Sequence, residues 1–272
     1  MGRTDDPVGV VWEARVDRHL HPLPGECQRE RLDPRLRRPD LGRVVVGEED
    51  DPHGLGFNRP APPPARRAAA WSAANPGNRA IRAEAYATLR TLAGPRLGPA
   101  GGHVLDAGCG TGWWLERLAR DGHPADRLRG ADRDPDRTAA ATARVPGAAI
   151  ATADLRALPD PDGTFDVVLF MTVLSSAGPP AAVAAVLAEL RRVTAPGAIA
   201  LVFEPRIPTP ANRATRLVRT CAVEAGFGPR TAARSVTLLP PLARRLPDAD
   251  AYARWARVPL LRTHRVSRYD RR

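Results

Sequence analysis

The residues of this 272-residue chain best placed to do chemistry lie in one run, His103-Val104-Leu105-Asp106-Ala107-Gly108-Cys109-Gly110-Thr111-Gly112. A short apolar strand ends in an acid and breaks into three alternating glycines ahead of a helix. Glycine lets a ligand approach the main chain closely, and a helix start aims free N–H groups at a bound anion. The run therefore reads as a cradle for a nucleoside cofactor. A dinucleotide fingerprint, G-x-G-x-x-G, would need a glycine where the chain has Trp113, so the nicotinamide reading fails on its third glycine.

A cradle of this kind needs strands to present it. Apolar runs and helical patterns alternate along the chain, predicting strands at 103–107, 128–132, 149–153, 165–170 and 198–204, with helices at 113–121, 135–144 and 180–193. Such alternation builds a parallel sheet with helices on both faces. A leading helix capped by Asn78 and running to about Leu92, a helix near 212–225, a short helix near 248–257 and strands near 234–239 and 262–269 complete the set. The predicted fold class is α/β, a Rossmann-like doubly wound sheet.

With these pieces in order, the sequence resembles the class I S-adenosylmethionine-dependent methyltransferases. The glycine loop looks like their first motif. Leu128-Arg129-Gly130-Ala131-Asp132 is similar to the next strand, whose terminal acid grips the ribose diol in the family. A carboxylate suits that task because it accepts from two adjacent hydroxyls. The strand 149–153 delivers Asp154, matching the family's adenine-side acid, followed by Leu155. Thr164-Phe165-Asp166-Val167-Val168 resembles the fourth strand, and Pro196-Gly197 the turn before the fifth.

The resemblance implies seven strands, mostly parallel with the last antiparallel, and S-adenosylmethionine as the cofactor. Carried over position by position, the donor site falls on Asp106, Gly108, Cys109, Gly110, Gly112, Asp132, Arg133, Asp154, Leu155 and Met171. Cys109 is given no chemistry of its own. Gly112-Trp113-Trp114-Leu115, Val173-Leu174-Ser175-Ser176, Thr237 to Arg245 and Pro259 to His264 further resemble a type 11-like bacterial subgroup associated with glycan and secondary-metabolite biosynthesis. One segment departs from it, Val202-Phe203-Glu204-Pro205-Arg206, where the subgroup has a Trp-Tyr-Asp-Phe-like end.

Methyl transfer is an in-line displacement, so alignment of the acceptor is the enzyme's main task. An oxygen acceptor of high pKa gains from a general base. In open α/β sheets the reaction centre lies beyond the carboxyl ends of the strands, which predicts Thr172, Ser175, Ser176, Glu204 and Arg206 near the acceptor. Glu204 is the base candidate, or a group that aligns the acceptor; a surface carboxylate paired with Arg206 is its plainer reading, and His264 is a weaker candidate. The Asn/Asp-Pro-Pro-aromatic tetrapeptide of exocyclic-amine methyltransferases is absent after strand four, and so is a Pro-Cys pair for attack on pyrimidines.

The expected acceptor is a small molecule, a natural product or glycan precursor, methylated on oxygen or nitrogen. The alternative is an RNA methyltransferase or a non-catalytic relative that docks on nucleic acid through its basic C-terminal region. Residues 211–272 hold 14 arginines against 4 acids, whereas 1–210 are nearly balanced, within an overall charge of +11. The chain has no lysine, so every basic residue except histidine, 41 in all, is arginine. That bias reads first as skewed coding, which weakens basicity as evidence for phosphate binding.

The three cysteines, Cys27, Cys109 and Cys221, are scattered, and their spacing gives neither a disulfide framework nor a metal site. No signal-peptide core follows Met1, and no apolar run approaches the ~18 residues that span a bilayer. The chain reads as cytoplasmic, with no membrane partner. Residues 1–68, rich in Pro, Arg and Asp, form the predicted leader and read as disordered, or as a stretch upstream of the true start; 69–272 form the predicted methyltransferase domain.

Overall fold

The computed structural model describes residues 74–208 and 216–272. The predicted leader lies outside them. Helix α1 (Pro76–Ala93) is followed by β1 (Val104–Ala107), α2 (Trp113–Arg120), β2 (Leu128–Asp132), α3 (Pro135–Arg144), β3 (Ala149–Thr152) and β4 (Phe165–Met171). Then come α4 (Pro180–Val193), β5 (Thr194–Pro205), α5 (Thr220–Phe227), β6 (Arg230–Leu238), the short α6 (Pro240–Ala243), α7 (Ala249–Trp255) and β7 (Arg262–Asp270). The seven strands form one sheet in the order β3-β2-β1-β4-β5-β7-β6. The first five run parallel, and β7 inserts antiparallel between β5 and β6.

Alternation along the strands sorts their side chains onto two faces. Ile199, Leu201 and Phe203 of β5 pack with Leu115, Leu118, Ala141 and Leu89 beneath α1, α2 and α3. Ala200 and Val202, one residue out of phase, pack with Leu187, Leu190 and Phe227 beneath α4 and α5. Both faces are therefore covered, and the strands' carboxyl ends are left to form the site.

Four predicted boundaries move. Helix α1 starts two residues before Asn78, because Asn75 is the cap: its side chain accepts from the Asn78 amide at 3.1 Å, and Pro76 takes the first helical position. Asn78 is instead buried inside the helix, where it accepts from Arg244 Nε at 3.3 Å. Strand β5 begins at Thr194, across the Pro196-Gly197 turn, through a shifted pairing of Thr194 with Phe165. Helix α5 begins at Thr220, since 216–219 are not helical; the start predicted at 212 lies outside the described residues. Strand β6 spans 230–238, displaced four residues towards the N-terminus at its start by the antiparallel ladder with β7.

Helix α1 is fastened over the sheet by a charged group rather than by apolar contact alone. The buried Glu84 carboxylate accepts from Arg262 Nη1 at 2.5 Å, Tyr252 Oη at 2.7 Å and the Thr237 amide at 2.9 Å. These donors come from β7, α7 and β6, so one side chain ties α1 to three later elements. Burial and the Glu84 charge hold the Tyr252 hydroxyl well above its ordinary range. The tie also fixes Thr237, a threonine at φ 62°, in backbone space that β-branched residues avoid.

Candidate functional site

The glycine loop emerges from β1 and leans on β2: the Gly108 and Cys109 amides both donate to the Ala131 carbonyl, at 2.7 and 3.0 Å. Its glycines do different jobs. Gly108 has φ 76°, and a Cβ there would meet Val173 Cγ2 at 2.4 Å, so this glycine permits close packing. Gly110, at φ 52°, has no atom within 4 Å of where its Cβ would stand. It borders open space at the strand ends, where a ligand can reach the main chain. The Cys109 thiol is buried and pushed upward by desolvation and by the Asp106 and Asp132 charges, which keeps it protonated and inert.

Asp132 ends β2 beside this opening. Its Oδ2 accepts from the Gly110 amide at 2.9 Å and its Oδ1 from the Asp134 amide at 3.1 Å. Two backbone donors thus fix the carboxylate, and each oxygen keeps acceptor capacity for a further donor. Asp134 caps α3, accepting from Asp136 and Arg137 amides, which sets the turn that carries Asp132 and the exposed Arg133.

Asp106 is the most telling group. It is fully buried at the end of β1, and neither carboxylate oxygen has a hydrogen-bond partner. Desolvation, then the Asp132 charge, raises its pKa to about 7. Buried polar groups are normally paired, so an orphan carboxylate beside an open loop fits a cationic or hydrogen-bond-donating ligand that completes it. The donor implied by the sequence carries both a sulfonium and an ammonium group, and the residues present fit it.

The third acid is arranged differently. Asp154 is exposed and gripped by Arg156, with Nη2 at 2.6 Å from Oδ2 and Nε at 3.0 Å from Oδ1. This fork holds its carboxyl below the usual range. The following segment is pinned to α4 by Arg192, which donates to the Leu158 and Asp160 carbonyls, and by Glu189, which accepts from the Leu158 amide at 2.7 Å. Leu155 packs against the adjoining core, and buried Met171 ends β4.

At the carboxyl ends of β4 and β5, Glu204 is buried and not paired with Arg206. Its Oε1 accepts from the Leu174 and Ser175 amides at 2.8 and 3.3 Å, while Oε2 is buried without a partner. Desolvation outweighs these bonds and raises its pKa to about 7. The surface ion pair with Arg206 is thus replaced by a clamp on the turn after β4; Arg206 reaches Ser235 Oγ and the Arg262 carbonyl instead. Thr172, in the same turn, is exposed and held at φ 60°, its amide donating to the Phe203 carbonyl at 2.8 Å. Strained β-branched residues of this kind concentrate at functional sites. Ser175 is buried and Ser176 exposed, both hydroxyls directed to the Thr172 carbonyl.

A line of aromatic rings runs from the glycine loop to this edge. Trp113 and Trp114 meet edge-on at 4.8 Å, Tyr86 of α1 lies 6.2 and 6.3 Å from them, Trp114 is 6.4 Å from Phe203, and His264 stacks on Phe203 at 5.0 Å. Burial lowers the His264 pKa to about 4, so its imidazole is neutral. Tyr86 and Phe203 are buried, and Trp113 and Trp114 pack on the same core between α1 and the sheet; this line of rings was not predicted, and the adjacent Trp113-Trp114 pair was its one local signal.

A family model described as a methyltransferase domain matches residues 104–197, from β1 through the turn within β5. Among proteins of curated function, none matches the sequence. Among solved structures, the chain is similar to the 1,6-didemethyltoxoflavin-N1-methyltransferase of Burkholderia thailandensis, with bound 1,6-didemethyltoxoflavin and S-adenosylhomocysteine. That likeness has 20% identity and a TM-score of 0.51, over 79% of this chain and 92% of that one. The chain is also similar to the geranyl diphosphate C-methyltransferase of Streptomyces coelicolor A3(2), with 13% identity and a TM-score of 0.50, over 68% of this chain and 77% of that one. At these identities the likeness is one of fold.

Proposed function

We propose that the chain is a class I S-adenosylmethionine-dependent methyltransferase, on the strength of the methyltransferase-domain match over residues 104–197, and that it methylates a small-molecule acceptor, a natural product or glycan precursor, on oxygen or nitrogen. When bound, S-adenosylmethionine supplies an electrophilic methyl group on a sulfonium sulfur. The chain's own residues hold and orient it: Gly110 opens the main chain to the ligand, Asp132 takes the ribose hydroxyls, and Asp106 receives positive charge. Leu155, Arg133 and Met171 border the same edge, and Asp154 serves it from the rim. There the Arg156 fork must share or release the carboxylate.

On the acceptor side, Glu204 is the base candidate. An ionisation near pH 7 lets it exist as a free carboxylate and still accept a proton from an acceptor hydroxyl as the new bond forms. Its Oε1 bonds make it at the same time an alignment group, because they set the position of the turn carrying Thr172. A single observation supports the proposal most directly: the unpartnered Asp106 carboxylate buried beside the open Gly110 position.

Two of the C-terminal arginines serve the fold and not a nucleic-acid surface. Arg262 is bound to Glu84, and Arg268 to Asp270 and the Leu92 carbonyl. The test is incubation of the full chain with donor labelled in its methyl group and with extract of its own cells, separated into small molecules and RNA. Label in a small molecule upholds the proposal; label confined to RNA overturns it.

A further inference from the structure

Large apolar side chains belong inside, and a cluster of them on the outside marks a contact surface. Five are exposed among the described residues, and four of these, Leu239, Trp255, Val258 and Leu260, sit where β6 ends and α7 leads into β7. They form one place in the fold, because the Leu239 amide donates to the Leu261 carbonyl at 2.8 Å. The support beneath them is firm. Helix α7 turns Tyr252, with Ala256 just past its end, into a small core with Ile81 and Leu238, and Tyr252 is bonded to Glu84 of α1. With that face buried, Trp255 is left 48% exposed and Leu260, on the following turn, 92% exposed.

The rim is positive. Arg245, Arg254 and Arg257 are exposed and have no ion-pair partner among the described residues. Asp248 and Asp250 lie at the far end of α7, where Asp248 is occupied in capping the Ala251 amide. An aromatic ring, projecting aliphatic tips and interleaved guanidinium groups suit the interface of a bilayer. There, rings lie at headgroup depth, aliphatic tips enter the acyl boundary and arginines meet lipid phosphates. A second copy of the chain is a poor occupant. A two-fold contact through this patch would set the same three unpaired arginines against one another.

We propose that this patch, Leu239, Trp255, Val258 and Leu260 ringed by Arg245, Arg254 and Arg257, docks the protein on an anionic phospholipid surface. The device is separate from membrane spanning: no helix among the described residues is long and apolar enough to cross a bilayer, and surface docking needs none. It is independent of the acceptor's identity.

The experiment is co-sedimentation of the full chain with phosphatidylcholine vesicles that contain or lack phosphatidylglycerol. The expected result is binding that requires the anionic lipid. Arg254→Gln and Arg257→Gln should each weaken it about fivefold, the effect of about one surface charge. Leu260→Asp should weaken it tenfold or more, and Arg137→Gln on α3, at the opposite edge of the sheet, should leave it unchanged. Because all these side chains are exposed, each variant should melt with the wild type and bind donor as it does. Equal binding without the anionic lipid, no binding to anionic vesicles, or insensitivity to both Leu260→Asp and the arginine changes would overturn the inference. So would self-association or capture of an acidic protein that depends on Leu260 while vesicles are ignored.

Discussion

Replacing Asp106 by asparagine should leave a pH signature in stability. An ordinary aspartate titrates at 3.8 and Asp106 at about 7. Between those values the folded chain keeps a proton that the unfolded chain has released, so stability falls as pH rises through the window and levels off above it. Holding the bare carboxylate in the ligand-free protein above pH 7 therefore costs about 4 kcal/mol, at 1.36 kcal/mol for each tenfold change in proton affinity. Asparagine cannot ionise and carries no such dependence. Its own burial cost is the same at every pH, and the titration of Glu204 is common to both proteins and cancels. Urea unfolding at pH 4, 6 and 8 should show the difference between wild type and Asp106→Asn moving by about 4 kcal/mol in favour of the variant as pH rises. For a domain of this size that is roughly 8–16 °C in melting temperature. A cation bound beside Asp106 would favour the charged form, so wild-type donor affinity should rise with pH across the same range and the variant's should not. A difference that moves by less than about 1 kcal/mol between pH 4 and 8 would mean that the carboxylate has a partner in the free protein, refuting the orphan-acid account.

Gly110→Leu should fold with a penalty of about 1–2 kcal/mol for a left-handed backbone, because its side chain meets open space, yet lose donor binding; retained affinity by calorimetry would show that the ligand lies elsewhere. Gly108→Ala should instead destabilise the free protein by more, through the clash with Val173, as thermal melts would reveal. Glu84→Leu strands the Arg262 guanidinium and the Tyr252 hydroxyl and should cost about 3–5 kcal/mol, against under 1 kcal/mol if the tie of α1 is dispensable. A chain beginning at Ala69 should melt and bind donor as the full chain does; loss of a cooperative transition would show that the leader is part of the folded unit.

What could be read from the sequence was whatever is local. The glycine loop, β2 with its terminal acid and α4 each announce themselves within about fifteen residues, because strand alternation, glycine punctuation and helical periodicity are short-range signals. The cap of α1 was equally local but misassigned: Asn75 before Pro76 is the better helix start, and Asn78 belongs inside. Long-range pairing stayed hidden. Glu84 looks like any acid on an amphipathic helix, and its three partners lie more than 150 residues away in sequence. Glu204 was found by its place at a strand end, but its clamp on the Leu174 and Ser175 amides depends on how β4 and β5 register. Likewise, only the folded chain shows that Asp154 is engaged by Arg156 while Asp106 is left without a partner.

The claim that the glycine loop and its flanking acids form a methyl-donor site is tested most directly by calorimetric titration of the full chain with S-adenosylmethionine, wild type beside Asp132→Ala. The account predicts saturable binding at one site per chain, weakened in the variant by roughly 1–3 kcal/mol, the range for lost hydrogen bonds to a charged group, with a cooperative melt retained. No binding by the wild type, or equal affinity in a folded Asp132→Ala protein, would contradict it.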